Sequence, residues 1–170
     1  DVSRDLGYIF ALHDQYRDYY YSSPVFDIDK AVENIDGSHP YCSIWDGGEH
    51  TFLCASQAPG FVKKTYSELE EHGVDVQGAY LDVFSVMNGD ECFNPKHKIT
   101  REQSIRYRAE CFDYLNDKGM IMSSEEPAMQ LINHLALVHH GPYTLRPQEN
   151  GQAVGIPVPL GNLVFHDCIM

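Results

Sequence analysis

The sequence lacks a basic run, a long apolar run and any paired-cysteine motif, and each absence removes a class of function. Its formal net charge is −13, from 25 acidic against 12 basic residues. Such a chain repels a phosphate backbone, so nucleic acid is not an expected partner. No apolar run approaches the ~20 residues needed to span a bilayer, and no basic stretch followed by an apolar one opens the chain. A soluble protein without membrane contact is expected; the compartment is not indicated, and an extracellular or periplasmic setting is compatible with the whole protein. The five cysteines, Cys42, Cys54, Cys92, Cys111 and Cys168, are odd in number and lack C-x-x-C spacing. Buried thiols are favoured over a disulfide framework, with a Cys42–Cys54 bridge across a hairpin as the alternative. Neither G-x-G-x-x-G nor G-x-x-x-x-G-K-[ST] occurs, and G-x-S-x-G is missing too. No nucleotide or other cofactor is expected, and a serine hydrolase is unsupported.

What is present is the pattern of one globular α/β domain of 170 residues. The run from Leu6 to Leu12 predicts a strand over about 7–13, ending in His13 and Asp14. A tyrosine-rich loop, Tyr19 to Tyr21, follows. Residues 24–60 are broken by proline and glycine, and within them Tyr41–Trp45 and Thr51–Cys54 flank Asp46-Gly-Gly-Glu-His50, predicting a β-hairpin excursion. Val62, Tyr66 and Leu69 recur at helical spacing between Pro59-Gly60 and Gly73, predicting a helix over 61–72. The run Gly78-Ala-Tyr-Leu-Asp-Val-Phe84 predicts a buried strand with Asp82 at its end. Thr100-Arg-Glu-Gln103 is a capping box, continued by Ile105, Ala109, Phe112 and Leu115 to a stop at Gly119. Met120 to Ser124 predicts the next strand, ending in Glu125 and Glu126. Met129 to His140 reads as a helix or a second excursion, Pro142, Pro147 and Gly151 mark loop, and Gly161 to Asp167 reads as a further strand ending in His166 and Asp167.

Strands that repeatedly end in acids or histidines point to a (β/α)8 TIM-type barrel, in which every strand opens onto one face. A complete barrel takes about 250 residues. The chain is therefore expected to be a partial barrel: residues 1–170 form a catalytic segment truncated at both ends, with the remaining strands elsewhere.

Two carboxylates on neighbouring parallel strands start from a spacing of about 4.8 Å and can reach the roughly 5–5.5 Å used by retaining glycosidases. Asp82 would attack the anomeric carbon. Glu125 would protonate the leaving oxygen and then deprotonate water, with Glu126, whose negative charge would help raise Glu125's pKa, as the alternative acid/base. Strand alternation makes Glu125 and Glu126 mutually exclusive in that role. His13, Asp14, His166 and Asp167 are candidate sugar-hydroxyl ligands by position. Trp45, the single tryptophan, suits stacking on a sugar face or anchoring its loop to the body.

The phrases Ala79-Tyr-Leu-Asp-Val83, Lys98-Ile-Thr-Arg101, Ser123-Ser-Glu125 and Val158-Pro-Leu-Gly-Asn-Leu-Val-Phe-His-Asp167 resemble glycoside hydrolases related to the exo- and endo-acting α-N-acetylgalactosaminidases, over roughly residues 7–170. The resemblance implies a catalytic (β/α) barrel with accessory β domains outside this segment and a retaining mechanism. It also implies a nucleophile at Asp82 and an acid/base at Glu125. Preference for N-acetylgalactosamine follows from the resemblance alone. Two other readings stand beside it: a non-catalytic carbohydrate-binding or degenerate barrel, and a metal-dependent hydrolase using His134, His139 or His166 with Asp82. No metal is expected in the favoured reading. The H-x-x-x-x-H spacing of His134 and His139 is not the helical pairing of a zinc-protease motif, and His139 and His140 face apart in regular structure.

Overall fold

The computed structural model describes residues 2–86, 88–126, 128–139, 146–147, 153–154 and 160–167. Four strands, β1 (Ala11–Gln15), β5 (Gly78–Asp82), β6 (Ile121–Ser124) and β7 (Leu137–Val138), form a parallel sheet in the order in which the chain makes them. Among the described residues the order never reverses, so this sheet has no switch point of the doubly wound kind. The first crossover carries a three-stranded antiparallel excursion, β2 (Asp18–Tyr20), β3 (Ile44–Trp45) and β4 (Gly48–Phe52), in the order β2-β4-β3, and then helix α2 (Ala58–Glu71). Helix α3 (Arg101–Asp117) makes the second crossover. The short helix α1 (Val2–Asp5), the ribbon β8 (Arg146–Pro147) and β9 (Ala153–Val154), and helix α4 (Leu160–Phe165) complete the described elements.

Local chemistry explains the central elements. α2 has Pro59 in its first turn and is followed by Gly73 at φ 72°, a left-handed position that favours glycine. α3 carries the expected capping box: the Thr100 hydroxyl accepts from the Gln103 N–H at 3.2 Å, and the Gln103 side chain accepts from the Thr100 N–H at 2.9 Å. One face of the sheet is sealed against these helices. Ala79, Leu81, Met122 and Ser124 are fully buried, and the same core takes in Ala58, Val62 and Tyr66 from α2 and Cys111, Phe112 and Leu115 from α3. Strand alternation then turns Gly78, Tyr80, Asp82, Ile121 and Ser123 to the opposite face. That second face is open, with Ile121 44% and Leu137 59% exposed.

Four expectations are corrected. The first strand is 11–15 rather than 7–13. Its register is set where Gly78 meets Ala11, an approach so tight that a Cβ on Gly78 would lie 2.9 Å from the Ile121 carbonyl and 3.2 Å from Ala11 Cβ. Leu6, Tyr8 and Ile9 lie outside it and are exposed. The tyrosine-rich segment is largely strand: Tyr19 is buried in the core, its hydroxyl donating to the Val25 carbonyl and accepting from the Asp27 N–H, each at 2.8 Å. Of the run 129–140, the described residues 129–139 form neither helix nor excursion but a single 3-10 turn, Ile132–His134, followed by β7. The run expected as a strand over 161–167 is helical through Phe165 and then turns, because a short apolar stretch carries no period that separates helix from strand. The loop expected around Pro142, Pro147 and Gly151 falls partly outside the described residues, and its described pieces are β8 and β9. The hairpin is present with a tighter Asp46-Gly47 turn, and no described helix is long and apolar enough to cross a membrane.

Candidate active site

The sheet register sets the ends of β5 and β6 side by side. Gln15 pairs with Asp82, and Tyr80 pairs with Ser123. Asp82 closes β5 and Glu125 follows β6 directly, each two residues beyond that second pair. The phenol of Tyr80 reports both acids. It is pushed up to about 12 by burial first, then by the charges of Asp82 and Glu125, and by a hydrogen bond with the Asp82 carboxylate. At neutral pH Tyr80 therefore keeps its proton, and its hydroxyl lies 3.5 Å from the His139 Nδ1. Its ring stacks on His13, its register partner, with centroids 4.9 Å apart, and meets His139 edge-on at 6.1 Å.

The backbone beyond the two acids is clamped. Ser124, fully buried, donates its hydroxyl to the Leu81 carbonyl at 2.6 Å and accepts from the Ser85 N–H at 3.3 Å. Ser85 Oγ in turn accepts from the Glu126 N–H at 3.3 Å. Val83, directly after Asp82, sits at φ 54°, a left-handed conformation that costs a β-branched residue about 1–3 kcal/mol. The loop that follows is held by Asp90, whose carboxylate accepts two bonds from Arg17, at 2.9 and 3.0 Å, and one from Arg108 at 2.8 Å. Arg108 also donates to the carbonyls of Phe84 and Asn88. This ion network fixes the turn that redirects the chain away from Asp82.

No protein-family model matches the chain, and no curated protein sequence does. Solved structures do. The α-N-acetylgalactosaminidase NagBb from Bifidobacterium bifidum in complex with GalNAc matches at 43% identity and a TM-score of 0.91, covering 100% of this chain and 28% of that one. The ligand-free form matches at 43% and 0.92 with the same coverage, and the Gal-NHAc-DNJ complex at 43% and 0.91, covering 27% of that chain. Over its whole length this chain is therefore similar in sequence and structure to one part of the α-N-acetylgalactosaminidase NagBb. It spans a little over a quarter of that glycoside hydrolase's length.

The other expected site residues separate. His13 lies on the face of Asp82, against Tyr80. Asp14 does not: it pairs in register with the sealed Leu81, and its carboxylate accepts from the Tyr16 hydroxyl and, at 2.9 Å, from the Gln15 N–H. Burial raises its pKa. It belongs to the helix-facing side, so its expected grouping with Asp82 is corrected. Glu126 lies with Glu125 in the bend after β6, its N–H donating to Ser85 Oγ. His166 and Asp167 lie beyond a helix, exposed and 3.0 Å from each other, instead of at a strand end. Trp45 stands 66% exposed on β3 and anchors no core. The hairpin that carries it adjoins the site: the Tyr20 phenol is raised by burial first, then by Asp18, Asp46, Cys42 and Asp82.

Sequence reasoning missed Tyr80, Asp18 and His50. Asp18 is raised by burial above all, with Asp82 and Asp90 adding to the shift and His50 and Arg17 opposing it. His50, fully buried, sets its Nε2 3.9 Å from the Asp18 carboxylate. Both enter through the β2–β4 pairing, which no local pattern announces. The three histidines of the metal-hydrolase reading are dispersed: His134 meets Asp113 of α3 at 2.5 Å, His139 meets Tyr80, and His166 follows α4, its Nδ1 3.2 Å from the Leu163 carbonyl. Among the described residues, one group has three metal-binding atoms within common reach, Cys54, Cys92 and His97, away from these carboxylates in the chain.

Proposed function

We propose that this chain supplies a catalytic arc of a (β/α)8 barrel, as the expected 1–170 segment, in a glycoside hydrolase that cleaves α-linked N-acetylgalactosaminides with retention. The observation that supports the reading is the pairing of Tyr80 with Ser123 on adjacent parallel strands, two residues before Asp82 and Glu125, with both acids close enough to raise the Tyr80 phenol. Adjacent strands lie about 4.8 Å apart, in keeping with the roughly 5–5.5 Å between carboxyls in retaining enzymes. In-register parallel strands also give a reason for the exposed second face: in a barrel it is the interior, covered by strands from the rest of the protein.

Asp82 attacks the anomeric carbon, and the glycosidic bond breaks as Glu125 delivers its proton to the leaving oxygen. The resulting glycosyl ester on Asp82 is hydrolysed by water that Glu125 deprotonates, which restores both carboxyls. Tyr80 holds the Asp82 carboxylate in position and withdraws electron density from one oxygen, leaving the other to attack. Trp45 offers an apolar ring to the sugar's C–H face. The 43% identity to an enzyme solved with GalNAc supports the choice of sugar.

The test is intact-mass spectrometry of the whole protein incubated with a 2-fluoro glycosyl fluoride of the galacto series. A glycosyl increment that maps to the Asp82 peptide and is missing from Asp82→Asn is expected. A protein that binds the sugar and never becomes labelled sinks the nucleophile assignment and favours the binding-barrel reading.

A further inference from the structure

The sulfurs of Cys54 and Cys92 and a ring nitrogen of His97 lie within 4.8 Å of one another. The two thiols are almost completely buried, while His97 reaches the surface. Three details of their surroundings are those of ligands rather than packing. First, the His97 Nε2 lies 2.7 Å from the Asp29 carbonyl, so Nε2 carries the proton and donates it. Nδ1 is then the lone-pair nitrogen, and it faces Cys92 Sγ at 3.4 Å. A backbone carbonyl that fixes the imidazole tautomer in this way is the usual outer support of a metal-bound histidine. Second, each sulfur has a polar neighbour of the kind a metal-bound thiolate uses: the Glu33 N–H donates to Cys92 Sγ at 3.4 Å, and the Ser56 hydroxyl, able to donate or accept, lies 3.3 Å from Cys54 Sγ. Third, the residues come from separate parts of the chain, held together by backbone pairing. The Cys54 N–H donates to the Lys30 carbonyl at 2.9 Å, the Phe93 N–H donates to the Glu33 carbonyl at 2.8 Å, and Cys92 bridges Ile99.

We propose that Cys54, Cys92 and His97 form a binding site for a thiophilic divalent cation of the zinc type. Zn–S bonds of about 2.3 Å and Zn–N bonds of about 2.0–2.1 Å set donor separations in a tetrahedron of about 3.5–3.8 Å. Small side-chain adjustments reach these from the arrangement present. Binding displaces the proton from each thiol to solvent, and the two thiolates balance the charge of the ion. The fourth position falls to the Ser56 hydroxyl or to water. Thiolate ligands select zinc over the hard cations magnesium and calcium, which take oxygen. Cys54 closes the base of the excursion that carries Trp45, and Cys92 lies in the loop between Asp82 and α3. The ion therefore fastens the excursion to that loop. The inference is independent of the glycosidase reading.

The experiment is elemental analysis of the full-length protein purified without chelator, followed by replacement of the ion with cobalt. One equivalent of zinc is expected, and the cobalt form should show a thiolate-to-cobalt charge-transfer band and the intense visible bands of a tetrahedral ion. Cys54→Ser, Cys92→Ser and His97→Ala should each lose or shift these bands, while Cys111→Ser, a buried thiol elsewhere, should keep them. Should the site variants fail to fold, titration of the wild type with a mercurial, read by a chromogenic chelator, should release zinc in step with loss of two thiols. A wild type that takes up no thiolate-bound cobalt overturns the proposal. So does a Cys54–Cys92 disulfide in non-reducing peptide maps, or cobalt bands indifferent to all three substitutions.

Discussion

The two faces of the parallel sheet are opposites. On the helix side Ala79, Leu81, Met122 and Ser124 are completely sealed; on the other, Ile121 and Leu137 are exposed and Tyr80, Asp82 and Glu125 are half-buried. The difference separates two tasks that share one backbone. Alternation along each strand lets one residue hold the fold while its neighbour carries polar chemistry. Leu81 next to Asp82, and Ser124 next to Glu125, are the plainest instances, and the Ser124 hydroxyl ties the two strand ends together from the sealed side.

The largest effect is expected at the rim, where the faces meet. Asp90→Ala leaves Arg17 and Arg108, both nearly buried, without their carboxylate, and should cost about 3–5 kcal/mol in denaturant unfolding. A loss below ~1 kcal/mol would mean that the network does not hold the loop after Asp82. The faces themselves are compared by Leu81→Ala, expected to cost about 2–5 kcal/mol, against Ile121→Ala, expected to stay within about 0.5 kcal/mol where its face is open to solvent. Equal costs in the whole protein would show that the second face is covered there, as the barrel reading requires. The smallest effect is spectroscopic. Because the folded Tyr80 phenol is raised from 10.0 to about 12, the native state keeps its proton where the unfolded chain has lost it. Its contribution to stability is complete below pH 10, declines as pH climbs, and is gone above about 12. Asp82→Asn should move the Tyr80 titration, followed by ultraviolet absorbance, back toward 10; an unmoved curve would separate Tyr80 from Asp82.

Much of the sealed side was legible in the sequence, because its signals are local. Val62 and Tyr66 at helical spacing, the Thr100–Gln103 capping box and the stop at Gly119 each sit within a few residues of the structure they specify. β7 was hidden by its length, since two residues show no period, and α4 by an apolar run that fits either element. On the open side Asp82 and Glu125 could be singled out as strand-end acids. Asp14 could not be assigned to a face while the first strand was placed too early in the chain. Tyr80 reads as one more strand residue in the sequence; only the folded sheet brings it within reach of the charges of Asp82 and Glu125. Asp18 and His50 depend on a strand pairing across some thirty residues, and Cys54, Cys92 and His97 on two segments meeting, the end of the excursion and the loop before α3. Their spacings match no short motif.

The register of β5 and β6 has a consequence for how freely this chain can change. The relative level of the strand ends at Asp82 and just before Glu125 is a property of the hydrogen-bonded ladder, in which Tyr80 pairs with Ser123, not of the residues that travel from one strand to the other. The intervening turn, loop and helix can lengthen, shorten or be rebuilt without altering that level, provided the ladder survives. A slip along the ladder is the costly change: one residue would exchange the sealed row for the open one, burying the acids and exposing Leu81. Tolerance to insertion after Val83 and intolerance to any shift in pairing are thus two sides of one arrangement.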